Sequence, residues 1–148
     1  MRPPLLDRLA DHDPVEGGGA ESRAVGYREA VEMVAGDLER LLNAKRFPPP
    51  VPESCGELRR SVLVYGLPDF TGKNPADHAV REALRREIEG AISLFEPRLR
   101  NTAVRVEEGG EGYLRFQVTA LLAMDREGEP VSFVTILDAK RGEYRISR

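Results

Sequence analysis

Tryptophan is missing from this 148-residue chain, cysteine occurs once and histidine twice. A lone thiol, Cys55, builds no disulfide framework and suits a reducing compartment, so a cytoplasmic location is expected. It lies in a proline-rich stretch with no histidine nearby in sequence to serve as the base that a thiol nucleophile needs. His12 falls in a linker and His78 on the exposed side of a helix start, and together with Cys55 they have no metal-ligand spacing. No cofactor and no metal are expected. Gly17-Gly18-Gly19 lacks the Lys-Ser/Thr of a phosphate loop and the preceding strand of a dinucleotide fingerprint.

Five phenylalanines and four tyrosines make a poor stacking platform for single strands. The net charge of −3, with both signs interspersed, leaves no basic stripe, so nucleic acid is not an expected partner. No run of about 18 apolar residues exists, which argues against membrane insertion. Arg2 is followed by no apolar h-region, so no secretory signal is expected. What remains is 41% hydrophobic and 32% charged residues, the composition of a soluble globular domain with a single core.

Residues 1–24 read as a flexible N-terminal segment, and residues 25–148 as one domain. Leu5, Leu6 and Leu9 give residues 3–10 the pattern of a short amphipathic helix, and Pro14 with the three glycines makes a tether behind it. From Val25 to Lys45, Tyr27, Val31, Val34, Leu38, Leu41, Leu42 and Lys45 form one helical stripe. A stiff connector around Pro48-Pro49-Pro50-Val51-Pro52 follows. Val62 to Tyr65 fits a short helix stopped by Gly66 and Pro68. Asn74 as cap, Pro75 in the first turn and Asp77 at the positive end open a second helix, with Val80, Leu84, Ile88, Ala91, Ile92 and Phe95 on its buried face. Asp77 with Arg81, and Glu82 with Arg86, are acid-to-base pairs four apart on its outside.

Beyond Arg98 the period changes to two. Thr102, Val104 and Val106 alternate, as do Leu114, Phe116, Val118, Ala120, Leu122 and Met124. Val131 to Leu137 is apolar on both faces, which suits an interior or partner-covered strand. Tyr144-Arg145-Ile146 is a short last strand. The expected class is α+β: two long helices packed on a small antiparallel four-stranded β meander.

At the seam between the periods stands Phe95-Glu96-Pro97-Arg98-Leu99. Pro97 ends the helix and disfavours the α region at Glu96. A helix C-terminus carries partial negative charge, so Glu96 is disfavoured there by about 0.3–1 kcal/mol and Arg98 favoured. Three readings of this acid and base stay open on the residues alone. They satisfy backbone groups at a turn, they reach a partner at an interface, or Glu96 joins Asp69, Asp125 or Asp138 as a glycosidase pair.

Phe95-Glu96-Pro97-Arg98-Leu99 resembles the Glu-Pro-Arg signature of the TssE family, baseplate proteins of type VI secretion systems related to the short wedge protein of contractile phage tails. Leu5-Leu6-Asp7-Arg8-Leu9, Asp37-Leu38-Glu39-Arg40-Leu41-Leu42-Asn43, Ser61 with Tyr65-Gly66-Leu67-Pro68-Asp69, Ile88-Glu89-Gly90-Ala91-Ile92, and Phe133, Thr135, Leu137-Asp138 and Gly142 agree with the family pattern in order. Ala44 and Val64 depart from it, standing where relatives often have threonine and asparagine. The resemblance implies a non-enzymatic, cytoplasmic baseplate component, docked on the inner-membrane complex. Its role would be to link the wedge to the contractile sheath and to help initiate sheath assembly. Expected partners are the wedge proteins TssF, TssG and TssK and the sheath proteins TssB and TssC, with Glu96, Pro97, Arg98 and Leu99 as the wedge contact. The sheet would offer strands for β-augmentation by the first sheath ring. The family is also called lysozyme-like, so a peptidoglycan-cleaving muramidase with Glu96 as general acid is the alternative.

Overall fold

Helix α1 forms where the apolar stripe of the first half predicts it and spans Tyr27–Asn43, 17 residues in a computed structural model. The structure describes residues 26–46, 54–58, 61–107, 112–124 and 128–147. The readings placed on residues 1–24 and on the triple proline lie outside these. Ala30, Val31, Val34, Leu38, Leu41 and Leu42 are the buried face of α1. The helix stops two residues before Lys45, which leaves the stripe to form an isolated parallel bridge with Leu67.

Between the helices, Val62–Val64 makes one 3-10 turn, capped by the Ser61 hydroxyl, which accepts from Leu63 N at 3.3 Å. Gly66 then takes a φ of +97°, as the expected stop requires. A second reason for glycine is visible only in three dimensions. A Cβ on Gly66 would sit 2.1 Å from the Ala44 carbonyl oxygen. That close approach lets Leu67 N donate to Ala44 O at 2.9 Å, and Arg46 N to Leu67 O at 2.8 Å.

Helix α2 spans His78–Phe95, 18 residues. Its N-cap is Asp77, whose carboxylate accepts from Ala79 N at 2.8 Å. This corrects the expected start at Asn74: the Asn74 side chain accepts from Ala76 N at 3.0 Å and makes a turn before the helix. It also removes the expected Asp77–Arg81 pair, because the carboxylate is turned to the backbone. Glu82 does meet Arg86 at 3.3 Å, and it grips Arg85 as well, at 2.7 Å. Both helices are of moderate length rather than long.

Four strands follow: β1 Leu99–Glu107, β2 Tyr113–Leu122, β3 Glu129–Asp138 and β4 Glu143–Ser147. They form one antiparallel sheet in the order β1-β2-β3-β4, a meander. The expected α+β architecture is present. β1 begins at Leu99, earlier than the alternation indicates, because a register shift between Arg100 and Ala103, with Asn101 at φ +52°, interrupts the period. One face of the sheet packs under both helices through Phe116, Val118, Leu122 and Phe133, all fully buried. α1 lies against β4 and α2 against β1. On the other face Val134 and Ile136 are half-buried, with no helix over them among the described residues, and β3 is an interior strand of the sheet, paired with β2 on one side and β4 on the other.

Gly66→Ala is expected to lower stability by at least about 2 kcal/mol, from positive φ and the clash with Ala44. Gly90, inside α2 with open space at its Cβ position, gives the contrast: Gly90→Ala should gain about 0.5–1 kcal/mol. Urea midpoints of the two variants check both signs.

Candidate functional site

Pro97 cannot continue α2, so the chain leaves the helix at Glu96, which has φ −121° and ψ 75°. Glu96 N still donates to Ile92 O at 2.9 Å, and Leu99 N donates to Glu96 O at 3.0 Å, closing the turn into β1. This geometry points the Glu96 side chain inward, where the residue is only 4% exposed. A carboxylate cannot be buried at the negative end of a helix without a cation.

Arg98 supplies it. Its Nε donates to Glu96 Oε1 at 2.5 Å and its Nη2 to Glu96 Oε2, a two-pronged grip on one carboxylate. The same Nη2 also reaches Asp37 Oδ2 on α1. Asp37 in turn accepts from Arg40 Nη2 at 2.5 Å. Four alternating charges thus run from α1 to the seam between α2 and β1. Burial pushes the Asp37 carboxyl up, but its hydrogen bonds to Arg98 and Arg40 outweigh that and hold it below the ordinary carboxylate range. The bond to Glu96, helped by that to Asp37, raises the Arg98 guanidinium against the opposing effect of burial.

Beside this clasp lies an open groove of about 340 Å³, lined by Asp37, Leu41, Tyr65, Phe95, Glu96, Pro97 and Arg98. Tyr65 and Phe95 meet edge to face, ring centroids 5.2 Å apart. Burial, then the charges of Asp37 and Glu96, push the Tyr65 phenol up. Pro97 is exposed at the rim, while Leu99 is buried beneath the turn as part of the core.

Of the sequence-predicted residues, the structure brings Glu96, Pro97 and Arg98 together in the groove wall and places Leu99 under it. Asp69 and Asp138 do not line the groove. Bonds from Thr71 and Lys45 hold the Asp69 carboxyl down at about 2, and Asp138 accepts from the turn amides of Lys140 and Arg141. Asp125 lies outside the described residues. Among those described, no three His, Cys, Asp or Glu side chains gather as a metal set. No helix among them is long and apolar enough to cross a membrane. Asp37, with Arg40 one turn on, is what sequence reasoning missed. Its signal was an acid beside Leu38 at the edge of the apolar stripe, where α1 has to meet another element.

A family model described as baseplate wedge protein gp25 matches residues 28–127. The chain belongs to that family. It is the family of TssE and the phage baseplate wedge proteins that the Glu-Pro-Arg signature suggests. The matched span contains every residue lining the groove, so the clasp sits within the family domain. Membership makes the chain a structural baseplate wedge protein of a contractile-tail type assembly, associated with other baseplate proteins. No curated protein matches the chain.

Because the Asp37 carboxyl is held below its ordinary value of 3.8, its stabilisation is complete above that value and is lost as pH falls through the folded one. The stability difference between the unmodified chain and Asp37→Asn should therefore be constant above about pH 5 and narrow below about pH 4. Urea denaturation across that range measures it, and a gap that widens on acidification would contradict the assigned direction.

Proposed function

We propose that this baseplate wedge protein links the wedge complex to the contractile sheath and helps initiate sheath assembly, with Glu96, Pro97 and Arg98 forming the contact to the other wedge proteins. The partners on the wedge side are TssF, TssG and TssK, and on the sheath side TssB and TssC. The place of action is the cytoplasmic baseplate docked on the inner-membrane complex, and the role is assembly rather than catalysis.

The observation that carries the wedge contact is the open groove at the seam. Its charged wall is already fixed by internal bonds, and its other wall is the Tyr65–Phe95 pair. A wall fixed before binding loses little side-chain freedom on docking. The buried charges then set the register of a partner helix instead of being desolvated anew. Leu99 contributes from beneath by holding the turn in place.

The muramidase alternative has less support. A general acid must present a carboxyl that delivers a proton to the leaving group. Both Glu96 oxygens accept from Arg98. Turnover of purified peptidoglycan by this chain, abolished by Glu96→Gln, is the result that would favour it.

Arg98→Ala is a poor test of docking, because it strands Glu96 and Asp37 without their shared cation and costs about 3–5 kcal/mol of folding. Arg98→Lys, Glu96→Gln and the rim variant Pro97→Ala keep more of the shape. Variants that still melt cooperatively should capture wedge partners at least tenfold more weakly. Folded variants that capture them undiminished would refute the contact.

A further inference from the structure

The face of the sheet turned away from the helices carries a pattern that the clasp leaves unused. Strand alternation points Arg105 of β1, Arg115 of β2, Val134 and Ile136 of β3 and Arg145 of β4 to this side. The register fixes how they lie. Ile136 stands directly between Arg115 and Arg145. Two residues back along β3, Val134 stands between Gln117 and Ser147, with Arg105 beyond Gln117. An aliphatic ridge on β3 is thus flanked by arginines on both sides.

Val134 and Ile136 are half-buried, while the three arginines are exposed and have no ion pair among the described residues. Tyr113, 51% exposed, continues the ridge on the diagonal from Ile136. The acids of this face gather towards one end: Glu107 stands opposite Arg115, and Asp138 opposite Glu143. Asp138 is already engaged by the turn amides of Lys140 and Arg141.

Covering the ridge removes apolar area from water, and a partner that also brings carboxylates matches the arginines, whose forks suit them. The spacing selects the partner's shape. Val134 and Ile136 are about 7 Å apart along the strand, close to the rise of about 6 Å between helical residues i and i+4. Arg115 and Arg145 are two strand spacings, about 10 Å, apart. That is about the 10–12 Å width of a helix with its side chains.

We propose that this outward face is a second docking surface and that its occupant is an acidic amphipathic helix of another protein, lying along β3. Apolar residues four apart cover Val134 and Ile136. Acids on one flank meet Arg105 and Arg115, and acids on the other meet Arg145. Asp138 and Glu143 repel acids at their end, so the acidic flanks stop short of it. The surface is across the sheet from the helices that hold the clasp, and the proposal draws nothing from the wedge contact.

The probe is a synthetic alanine-based helical peptide of about 18 residues, with leucines four apart and glutamates on both flanks of that stripe. A second peptide has lysines in place of the glutamates. NMR of the whole chain reads binding at millimolar peptide. The glutamate peptide should shift the Val134 and Ile136 methyls and the Arg115 and Arg145 side-chain signals, and the lysine peptide should not. Arg115→Glu with Arg145→Glu should weaken the glutamate peptide at least tenfold and admit the lysine peptide. Should that reversal disturb the fold, Arg115→Gln with Arg145→Gln should weaken the first peptide without admitting the second. Equal shifts with both peptides, or none with either, would overturn the proposal. A response to vesicles of anionic lipid in place of the peptide would make the face a lipid contact instead. If the arginine variants alone move the signals of Leu5 and Leu9, the occupant is the chain's own first segment, where Asp7 and Asp11 accompany those leucines, and a separate partner is refuted.

Discussion

The guanidinium of Arg98 is the point on which α1, α2 and the start of β1 meet. It comes from the first residues after α2, it neutralises the carboxylate that ends α2, and it reaches across to Asp37 on α1. Each bond answers a cost created elsewhere. Pro97 forces the chain out of the helix, the turn drives Glu96 inward, and a buried carboxylate at the negative end of a helix needs a cation within reach. A neutral residue at Arg98 would leave two acids facing each other between helices. A single planar fork satisfies both, which a lysine does less well.

Much of this was legible in the sequence because the constraint is local. Glu96, Pro97 and Arg98 are neighbours, and the conflict between an acid and a helix C-terminus can be read from three residues. The class and the meander were legible for a similar reason, since the change from helical to alternating period falls at one place. Two other features were out of reach. The third charge, Asp37, lies 61 residues away from Arg98, and only packing of α1 on the seam selects it. The start of α2 was misplaced because Asn74 and Asp77 are both good caps, and the choice depended on which carbonyl oxygen the first turn could use. Asp77 O accepts from Arg81 N at 3.0 Å, which begins the helix there.

Polar side chains here repeatedly do the work of backbone. Asp77 caps the start of a helix, Asn43 occupies an edge position of the sheet, and Asp138 fixes the last turn. In a sheet with two outer edges, these side chains decide which backbone groups stay available to other molecules. Thr102 and Thr135 are the exceptions: their hydroxyl oxygens are buried with no partner among the described residues, and nothing in the structure accounts for it.

The close approach at Gly66 has a separate consequence for how the chain tolerates change. Ala44, Arg46 and Leu67 are tied by two backbone bonds, so the stretch that leaves at Arg46 comes back to a fixed point at Leu67. Its ends are stapled by the body of the protein. The entropy of closing such a loop grows only with the logarithm of its length, about 0.6 kcal/mol for each doubling. A change in the length of chain between Arg46 and Leu67 therefore costs little closure entropy, because the clamp of Ala44, Arg46 and Leu67 already sets the distance between its ends.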